Sequence, residues 1–205
     1  MAGSFIVFEG PDGSGTTRQS HFLAERMRTE GYDVLHTAEP TDGSFGAEVR
    51  SLLHTEPMPP ADSVQLLFCA DRAQHVQELI EPALKSGKVV ISDRYILSTL
   101  IYGVATGLDE QWLKDINRTF PSPDLTIITL PPLEVCLERL GTRESNDQFE
   151  NALFQKRIYE GYRNVEDPAT IFADTSDEKE KVAESIWGKV QEHFGPISRE
   201  SITKL

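Results

Sequence analysis

Short apolar runs alternate along the chain with longer segments in which apolar residues recur at helical spacing. The short runs contain many β-branched and aromatic residues, as strands commonly do. They lie at 5–8, 33–36, 89–92, 125–130 and 170–173. Strands that alternate with helices are typical of a parallel sheet covered on both faces. The pattern therefore predicts an α/β fold with a five-stranded parallel sheet between two layers of helices.

Helical spacing is clearest in two segments, 63–85 and 178–193. Ser63 stands where a residue can cap the first of these helices, and Gly87 follows its end, where glycine commonly terminates a helix. The stretch 54–62 contains three prolines and is predicted to be a loop.

The chain has 205 residues, which suits one α/β domain with a full core. No repeat or linker divides it, so residues 1–205 are predicted to form a single domain whose tail after Gly195 is loosely held. No apolar stretch is long enough to cross a membrane, and no secretory signal opens the chain. Cys69 and Cys136 lack metal-ligand spacing and are expected to be buried free thiols. We therefore expect a cytoplasmic protein without a membrane partner.

The formal net charge is −13 at pH 7. This charge argues against a general surface for nucleic acid, and it also keeps a surface well solvated. An anionic substrate would have to be held by a local cluster of positive groups against the global field. The few arginines near candidate sites therefore carry more weight than usual.

Residues 10–17 follow directly on the first apolar run and contain three glycines. Their spacing matches a phosphate-binding loop, G-x-x-x-x-G-K-[ST], except that Thr16 occupies the lysine position. The glycines allow backbone amides to wrap around phosphate oxygens, and a helix beginning near Thr16 would direct its N–H groups at the same anion. A glycine-rich turn without a ligand is the alternative, but the strand before and the helix after favour a phosphate site and a three-layer P-loop NTPase fold. The residues predicted to hold phosphate are Gly10, Pro11, Asp12, Gly13, Ser14, Gly15, Thr16 and Thr17.

Charged residues also follow the third predicted strand, in the sequence Ser92-Asp93-Arg94-Tyr95. Residues just beyond the carboxyl ends of parallel strands face the ligand crevice. Asp93 is therefore a candidate ligand for Mg²⁺ together with Thr17, and Arg94 a candidate clamp for a phosphate. A surface ion pair between the two is the alternative.

Five segments together resemble the thymidylate kinase family, which transfers phosphate from ATP to dTMP. The narrowest motifs are Phe-x-x-x-Arg inside the third segment and Asp-Arg-Tyr-x-x-Ser inside the fourth. The segments are FEGPDGSGTT (8–17), AEP (38–40), LLFCADRAQHV (66–76), SDRYILSTLIYG (92–103), and PDLTIITL (123–130) followed by ERLGTRESNDQFE (138–150).

The resemblance implies a site for dTMP. Phe68 matches the aromatic residue that stacks on thymine, and Arg72 the arginine that donates to a base carbonyl. Tyr102 matches the aromatic residue that disfavours a ribose 2′-hydroxyl, and Arg94 the arginine that holds the acceptor phosphate. The full set implied for dTMP is Asp12, Pro40, Phe68, Arg72, Arg94, Ser98, Thr99 and Tyr102.

The resemblance also implies ATP and Mg²⁺ as cofactors and a mobile lid at about 139–150. Arg139 and Arg143 precede an acidic stretch there, and either could reach the transferring phosphoryl group. Arginines at the end of an ordinary helix are the alternative. The implied catalytic residues are Asp12, Arg94, Arg139 and Arg143, and the family suggests a homodimer through the helices near 63–85 and 92–107.

The chain departs from the family pattern at several positions, and two of these departures remove a positive charge. Thr16 replaces the loop lysine, and Ala38 stands where relatives often have an arginine. Gly103 and Leu130 replace a common glutamine and a common aspartate. We expect compensation by Arg18, Arg139 or Arg143 and a working dTMP kinase. The alternatives are a kinase for another nucleoside monophosphate, a nucleoside kinase, and a nucleotide-binding protein with weak or lost catalysis.

Overall fold

A computed structural model describes residues 3–141 and 147–194, with the backbone alone for residues 147–151. Within these ranges the chain forms one parallel sheet of five strands, in the order β2-β3-β1-β4-β5. The strands are β1 (Ser4–Glu9), β2 (Val34–Ala38), β3 (Val89–Asp93), β4 (Leu125–Thr129) and β5 (Thr170–Ala173). The predicted α/β class and the five parallel strands are confirmed.

Helices connect the strands and cover both faces of the sheet. A short π-helical segment, Val76–Ile80, links two of them without a break. The helices are α1 (Thr16–Thr29), α2 (Ser44–Leu52), α3 (Ala61–His75), α4 (Glu81–Lys85), α5 (Ile96–Ala105), α6 (Glu110–Asn117), α7 (Leu133–Leu140), α8 (Asp147–Arg163) and α9 (Lys179–Phe194).

The central strand β1 shows why three layers form. Successive side chains of a strand point to opposite faces of the sheet. Ile6 and Phe8 accordingly join a buried cluster with Leu23 of α1 and Trp187 of α9.

On the other face, Phe5 and Val7 pack with Ile80 of the π segment and with Tyr95. From Phe5 to Phe8 both faces of β1 are therefore apolar, as expected for the central strand of a parallel sheet.

The ends of the predicted helices are mostly as expected. The helical segment 63–85 is present as α3, the π segment and α4, and Gly87 follows it with a left-handed φ of 83°. The capping role predicted for Ser63 is wrong, because α3 begins at Ala61, directly after Pro60. A proline has its φ already fixed near the helical value, so the chain turns into the helix two residues before Ser63.

Both cysteines are buried and free, as predicted. Across the part of the chain that the structure describes, no helix combines the length and apolar character needed to cross a membrane. The tail after Gly195 lies outside the described residues.

Candidate active site

The predicted phosphate loop lies between the end of β1 and the start of α1. Gly13 has a φ of 79°, and a Cβ added there would lie 2.6 Å from the carbonyl oxygen of Cys136. A Cβ added at Gly10 would lie 2.5 Å from the Ser14 hydroxyl oxygen. Only glycine fits these two positions, since a side chain would be both strained and in collision. The loop is thereby kept tight against the sheet.

The amino end of α1 is open toward an anion. Gly15 precedes the helix without a side-chain cap, and the first turn contains no acidic residue. The backbone N–H groups of a first turn lack partners within the helix and carry the positive end of its dipole. A phosphate group is the natural partner for such an end.

Three hydroxyl groups hold the loop from behind. The hydroxyl of Ser14 lies 2.7 Å from that of Thr129 at the end of β4. Thr175, just beyond β5, donates to the carbonyl of Ser14 at 2.6 Å, and Thr129 donates to the carbonyl of Glu9 at 3.3 Å. Neighbouring strands therefore fix the backbone that faces the phosphate.

Arg139 at the end of α7 is a cation that contacts the Gly13 side of this loop. Its guanidinium donates to the carbonyl of Gly13 at 3.2 Å and to the hydroxyl and carbonyl of Thr175 at 3.2 and 2.7 Å. Thr16 itself is buried, with 6% of its surface exposed, and Arg18 is exposed. Arg143 lies outside the described residues.

The two residues expected to bind Mg²⁺ meet at the end of β3. The Thr17 hydroxyl donates to Oδ2 of Asp93 at 2.5 Å. The other carboxylate oxygen, Oδ1 of Asp93, is buried without a hydrogen-bond partner in the described residues. No group of three His, Cys, Asp or Glu side chains in the described part of the chain is arranged to hold a metal alone. This donor set suits Mg²⁺, which takes one or two protein oxygens and fills its shell with water and phosphate.

All eight residues expected to contact dTMP line one cavity of about 400 Å³ beside the phosphate loop. Its volume falls in the usual range for small-molecule sites. The eight are Asp12, Pro40, Phe68, Arg72, Arg94, Ser98, Thr99 and Tyr102.

Arg72 lies at one end of this cavity and is 1% exposed. Its Nε and Nη2 donate to Oε2 of Glu39 at 2.9 and 2.8 Å. Nη2 also donates to the Thr99 hydroxyl at 3.0 Å, and Nη1 donates to Asn117. The guanidinium also lies over the ring of Tyr95, 5.1 Å from its centroid. A buried charge with these partners is held in one orientation.

Arg94 lies at the other end, next to the phosphate loop. It has a φ of 70°, the single left-handed non-glycine residue among those described. Its Nη2 donates to Asp12 at 2.6 Å, and its Nη1 donates to the carbonyl of Gly10 at 3.1 Å. The guanidinium lies over the ring of Tyr102, 5.4 Å from its centroid. A strained backbone at such a residue is common where function requires a fixed side chain.

The buried carboxylate of Glu9 interacts electrostatically with Arg94, and sequence analysis did not identify it as a site residue. Its carboxylate accepts from the backbone N–H groups of Tyr95 and Ser98 at 2.9 and 3.1 Å. It also accepts from the hydroxyls of Ser98 and Tyr162 at 2.5 and 3.0 Å. Complete burial raises the pKa of Glu9, although these donors and Arg94 oppose the shift. Glu9 thus satisfies the first N–H groups of α5, and an acidic residue ending an apolar strand was the available signal.

A second pair missed by sequence analysis is Glu39 with His75. Glu39 is buried and lines the cavity, and its Oε1 lies 3.0 Å from Nδ1 of His75. The other ring nitrogen of His75 lies 2.8 Å from the Thr37 hydroxyl. Glu39 lies in the segment 38–40 and His75 in the segment 66–76, but nothing in their spacing shows that they pair.

The departures from the family pattern have local explanations in two cases. A Cβ at Gly103 would lie 2.6 Å from a methyl carbon of Leu113, so α6 occupies the space that a longer side chain needs. Leu130 packs against the cluster around Ile128. Ala38 is exposed and opens onto a second cavity of about 440 Å³ on the other side of Glu39.

Comparison with known proteins agrees with this geometry. The family model described as thymidylate kinase matches residues 8–186. A probable thymidylate kinase of Thermococcus gammatolerans is 39% identical over 203 residues, covering 94% of this chain and 98% of the relative. A thymidylate kinase of Thermomicrobium roseum is 41% identical over 200 residues, covering 92% and 94%. A probable thymidylate kinase of Thermococcus onnurineus is 44% identical over 167 residues, covering 77% and 82%.

Proposed function

Because the chain belongs to the thymidylate kinase family, we propose that it transfers the γ-phosphoryl group of ATP to dTMP, giving dTDP and ADP. The observation that carries this proposal is the single cavity that joins Phe68 and Arg72 to Arg94 beside the phosphate loop. One end offers an aromatic face and a fixed donor for a base. The other offers a cation for a phosphate, at the position where the donor nucleotide would end.

Positioning is the main task of the acceptor end. Arg94 would hold the dTMP phosphate, and Asp12 would keep the arginine in place through their 2.6 Å ion pair. The acceptor phosphate is already ionised near neutral pH, so the reaction needs no strong general base. Asp12 therefore organises the acceptor and does not remove a proton.

Charge stabilisation is the main task of the donor end. The phosphate loop and the amino end of α1 would hold the phosphates of ATP. Arg139 contributes a positive charge beside Gly13. Phosphoryl transfer depends on such fixed charges, because the transition state spreads negative charge over the moving group. The role expected for Arg143 falls outside the described residues and stays a prediction.

Thr17 and Asp93 are the residues that would hold Mg²⁺. Their oxygens fit, since Oδ1 of Asp93 is buried and has no hydrogen-bond partner in the described residues. The ion would supply positive charge to the phosphate oxygens. ATP with Mg²⁺ is therefore the proposed phosphate donor.

A homodimer through α3 and α5 is part of the proposal. Leu66 on α3 and Val104 on α5 are large apolar residues with 50% and 45% of their surface exposed. A partner molecule would cover them and reduce contact between apolar surface and water. Light scattering after size exclusion would report twice the chain mass if this is so, and the chain mass if it is not.

The proposed activity is tested by steady-state turnover with ATP, Mg²⁺ and a panel of nucleoside monophosphates. We expect dTDP as product, with the largest kcat/KM for dTMP. Preference for another monophosphate would reassign the substrate. Binding of dTMP and ATP in calorimetry without product would instead indicate a nucleotide-binding protein, as the loss of charge at Thr16 and Ala38 permits.

A further inference from the structure

The fixed orientation of Arg72 depends on a buried carboxylate. Glu39 meets both Nε and Nη2 of this arginine through a single oxygen, Oε2. Both side chains are at most 2% exposed, so the charges are compensated by each other and not by water. In a buried site, the loss of one hydrogen-bond donor raises the free energy of a carboxylate, and the side chain then turns toward another partner. The position of Arg72 is therefore only as firm as that of Glu39.

The second oxygen of Glu39 is held by His75. Oε1 lies 3.0 Å from Nδ1 of the ring. Because an ionised carboxylate can only accept, Nδ1 must carry the hydrogen. In the neutral ring, Nε2 is then the acceptor for the Thr37 hydroxyl at 2.8 Å. The network thus assigns one tautomer to His75 and one rotamer to Glu39.

His75 reaches Glu39 from a different cavity than the one that Arg72 lines. Its side chain is fully buried and lines the second cavity together with Thr37, whereas Glu39 and Arg72 line the first. Among the described residues, it is linked to the first cavity by the hydrogen bond to Glu39. It is also the last residue of α3 before the π segment begins at Val76. π segments in helices often occur at functional sites, where they set the direction of particular side chains.

We propose that His75 is a positioning residue for base recognition, which keeps Glu39 turned toward Arg72 and so aims Arg72 at the base carbonyl. The inference rests on the proposed function, since it assumes a pyrimidine in the first cavity. Without a donor at Oε1, the Glu39 carboxylate would turn and draw Arg72 with it. Thr99 would still accept from Nη2 of Arg72 and Asn117 from Nη1, so the site would be loosened and not lost.

Two substitutions separate the two ring nitrogens of His75. In His75→Asn, the side-chain amide nitrogen is as many bonds from the backbone as Nδ1, so it can still donate to Glu39. In His75→Gln, the amide nitrogen corresponds to Nε2 and faces Thr37, and the donor to Glu39 is lost. His54→Gln is the matched control, because His54 is exposed and lines neither cavity.

The readout is base selectivity, measured as the ratio of kcat/KM for dTMP to that for dCMP. Cytosine carries an amino group at C4, where thymine carries a carbonyl, so an Arg72 donor directed at that position has no acceptor in dCMP. We expect His75→Gln to raise KM for dTMP and lower the ratio roughly tenfold, which is the size of one hydrogen bond to a charged group. KM for ATP should stay unchanged. His75→Asn should keep the ratio within about twofold of the wild-type value, as expected if its amide replaces Nδ1, and His54→Gln should leave it unchanged.

Calorimetric binding of dTMP and dCMP to the same proteins keeps this inference separate from catalysis. If the wild type binds dTMP but makes no dTDP, the proposed kinase activity fails and the ratio of dissociation constants still tests His75. Equal ratios in the wild type and His75→Gln would overturn the inference, as would a wild type that binds no dTMP. If His75→Gln does not fold, Thr37→Val removes the partner of Nε2 and should lower the ratio in the same direction by a smaller factor; an unchanged ratio there would equally contradict the role.

Discussion

The two halves of the site hold their positive charges in different ways. In the acceptor half, Arg72 and Arg94 each pair with a carboxylate, Glu39 at 2.8 Å and Asp12 at 2.6 Å. In the donor half, Arg139 donates only to carbonyl and hydroxyl oxygens, and no carboxylate pairs with it among the residues that the structure describes.

This difference has a physical consequence. An arginine paired with a carboxylate is fixed in direction, but the pair carries little net charge. Arg139 is anchored by neutral groups and keeps its full charge for the phosphates that the proposed donor would bring. In a chain with a net charge of −13 that lacks the loop lysine, such a cation is the available source of positive potential. In the acceptor half, ion pairs orient the two arginines. In the donor half, the arginine keeps its net positive charge.

Of the substitutions that test this comparison, Arg94→Ala is expected to have the largest effect on activity. It removes the cation proposed to hold the acceptor phosphate and leaves Asp12 without its partner. We expect kcat/KM for dTMP to fall by roughly 10²–10³, the usual cost of losing one fixed electrostatic contact. Arg94→Lys is the conservative variant and should lose less, because it keeps the charge without the fork of donors. A change of less than threefold in Arg94→Ala would contradict the role in the acceptor half.

The donor half is tested by Arg139→Ala. We expect kcat to fall roughly tenfold to hundredfold while KM for dTMP stays constant, since Arg139 is proposed to act on the moving phosphoryl group and not on dTMP binding. Arg18→Ala is the matched control, because Arg18 is exposed at the start of α1 and should change kcat little. A larger loss in the Arg18 variant would show that the replacement charge comes from there.

Thr16→Lys restores the lysine that the family has at this position. It tests whether another cation already replaces the charge of that lysine. If the space near the β- and γ-phosphates is free, turnover should be preserved or raised, by up to about tenfold. A collapse in turnover would show that another cation already occupies that space. Combining Thr16→Lys with Arg139→Ala closes a double-mutant cycle. Partial recovery of kcat relative to Arg139→Ala alone is expected if the two cations serve the same phosphates.

The smallest expected effect concerns Glu9, which holds α5 in the acceptor half. Burial raises its pKa in the folded state above the ordinary value of 4.5. The stabilising contribution of the protonated form is therefore complete below pH 4.5 and is lost as the pH rises through the folded pKa. Glu9→Gln cannot titrate. The free energy of unfolding of the wild type, relative to that of Glu9→Gln, should fall as the pH is raised from 4.5. Urea titrations at a series of pH values measure this difference, and a constant difference would contradict the assignment.

The sequence was sufficient to predict the sheet and the glycine-rich loop, because their signals are local, as in the glycine spacing of residues 10–17. The residues expected at the base, Phe68 and Arg72, came from the family resemblance, and their role stays a prediction. The sequence was not sufficient for Glu9 and Glu39, whose partners lie on other elements. Glu9 meets Ser98 at a separation of 89 residues, and only the packed fold brings them together.

Because contacts between distant elements cannot be read from the sequence, it also did not identify which arginine replaces the charge of the loop lysine. Arg18, Arg139 and Arg143 were equivalent candidates in the sequence, since the 126 residues that separate Arg139 from Gly13 say nothing about contact. The wrong cap at Ser63 has a different cause. Ser63 has a side chain that favours the capping position, but the helix begins directly after Pro60.

A single-turnover experiment tests the central claim most directly. Enzyme in excess over labelled dTMP is mixed with ATP and Mg²⁺, and the reaction is quenched at intervals. The account predicts conversion of dTMP to dTDP at a rate on the order of 1–100 s⁻¹, the usual range for kinases. It would be contradicted if dTMP remained unphosphorylated while calorimetry showed both nucleotides bound.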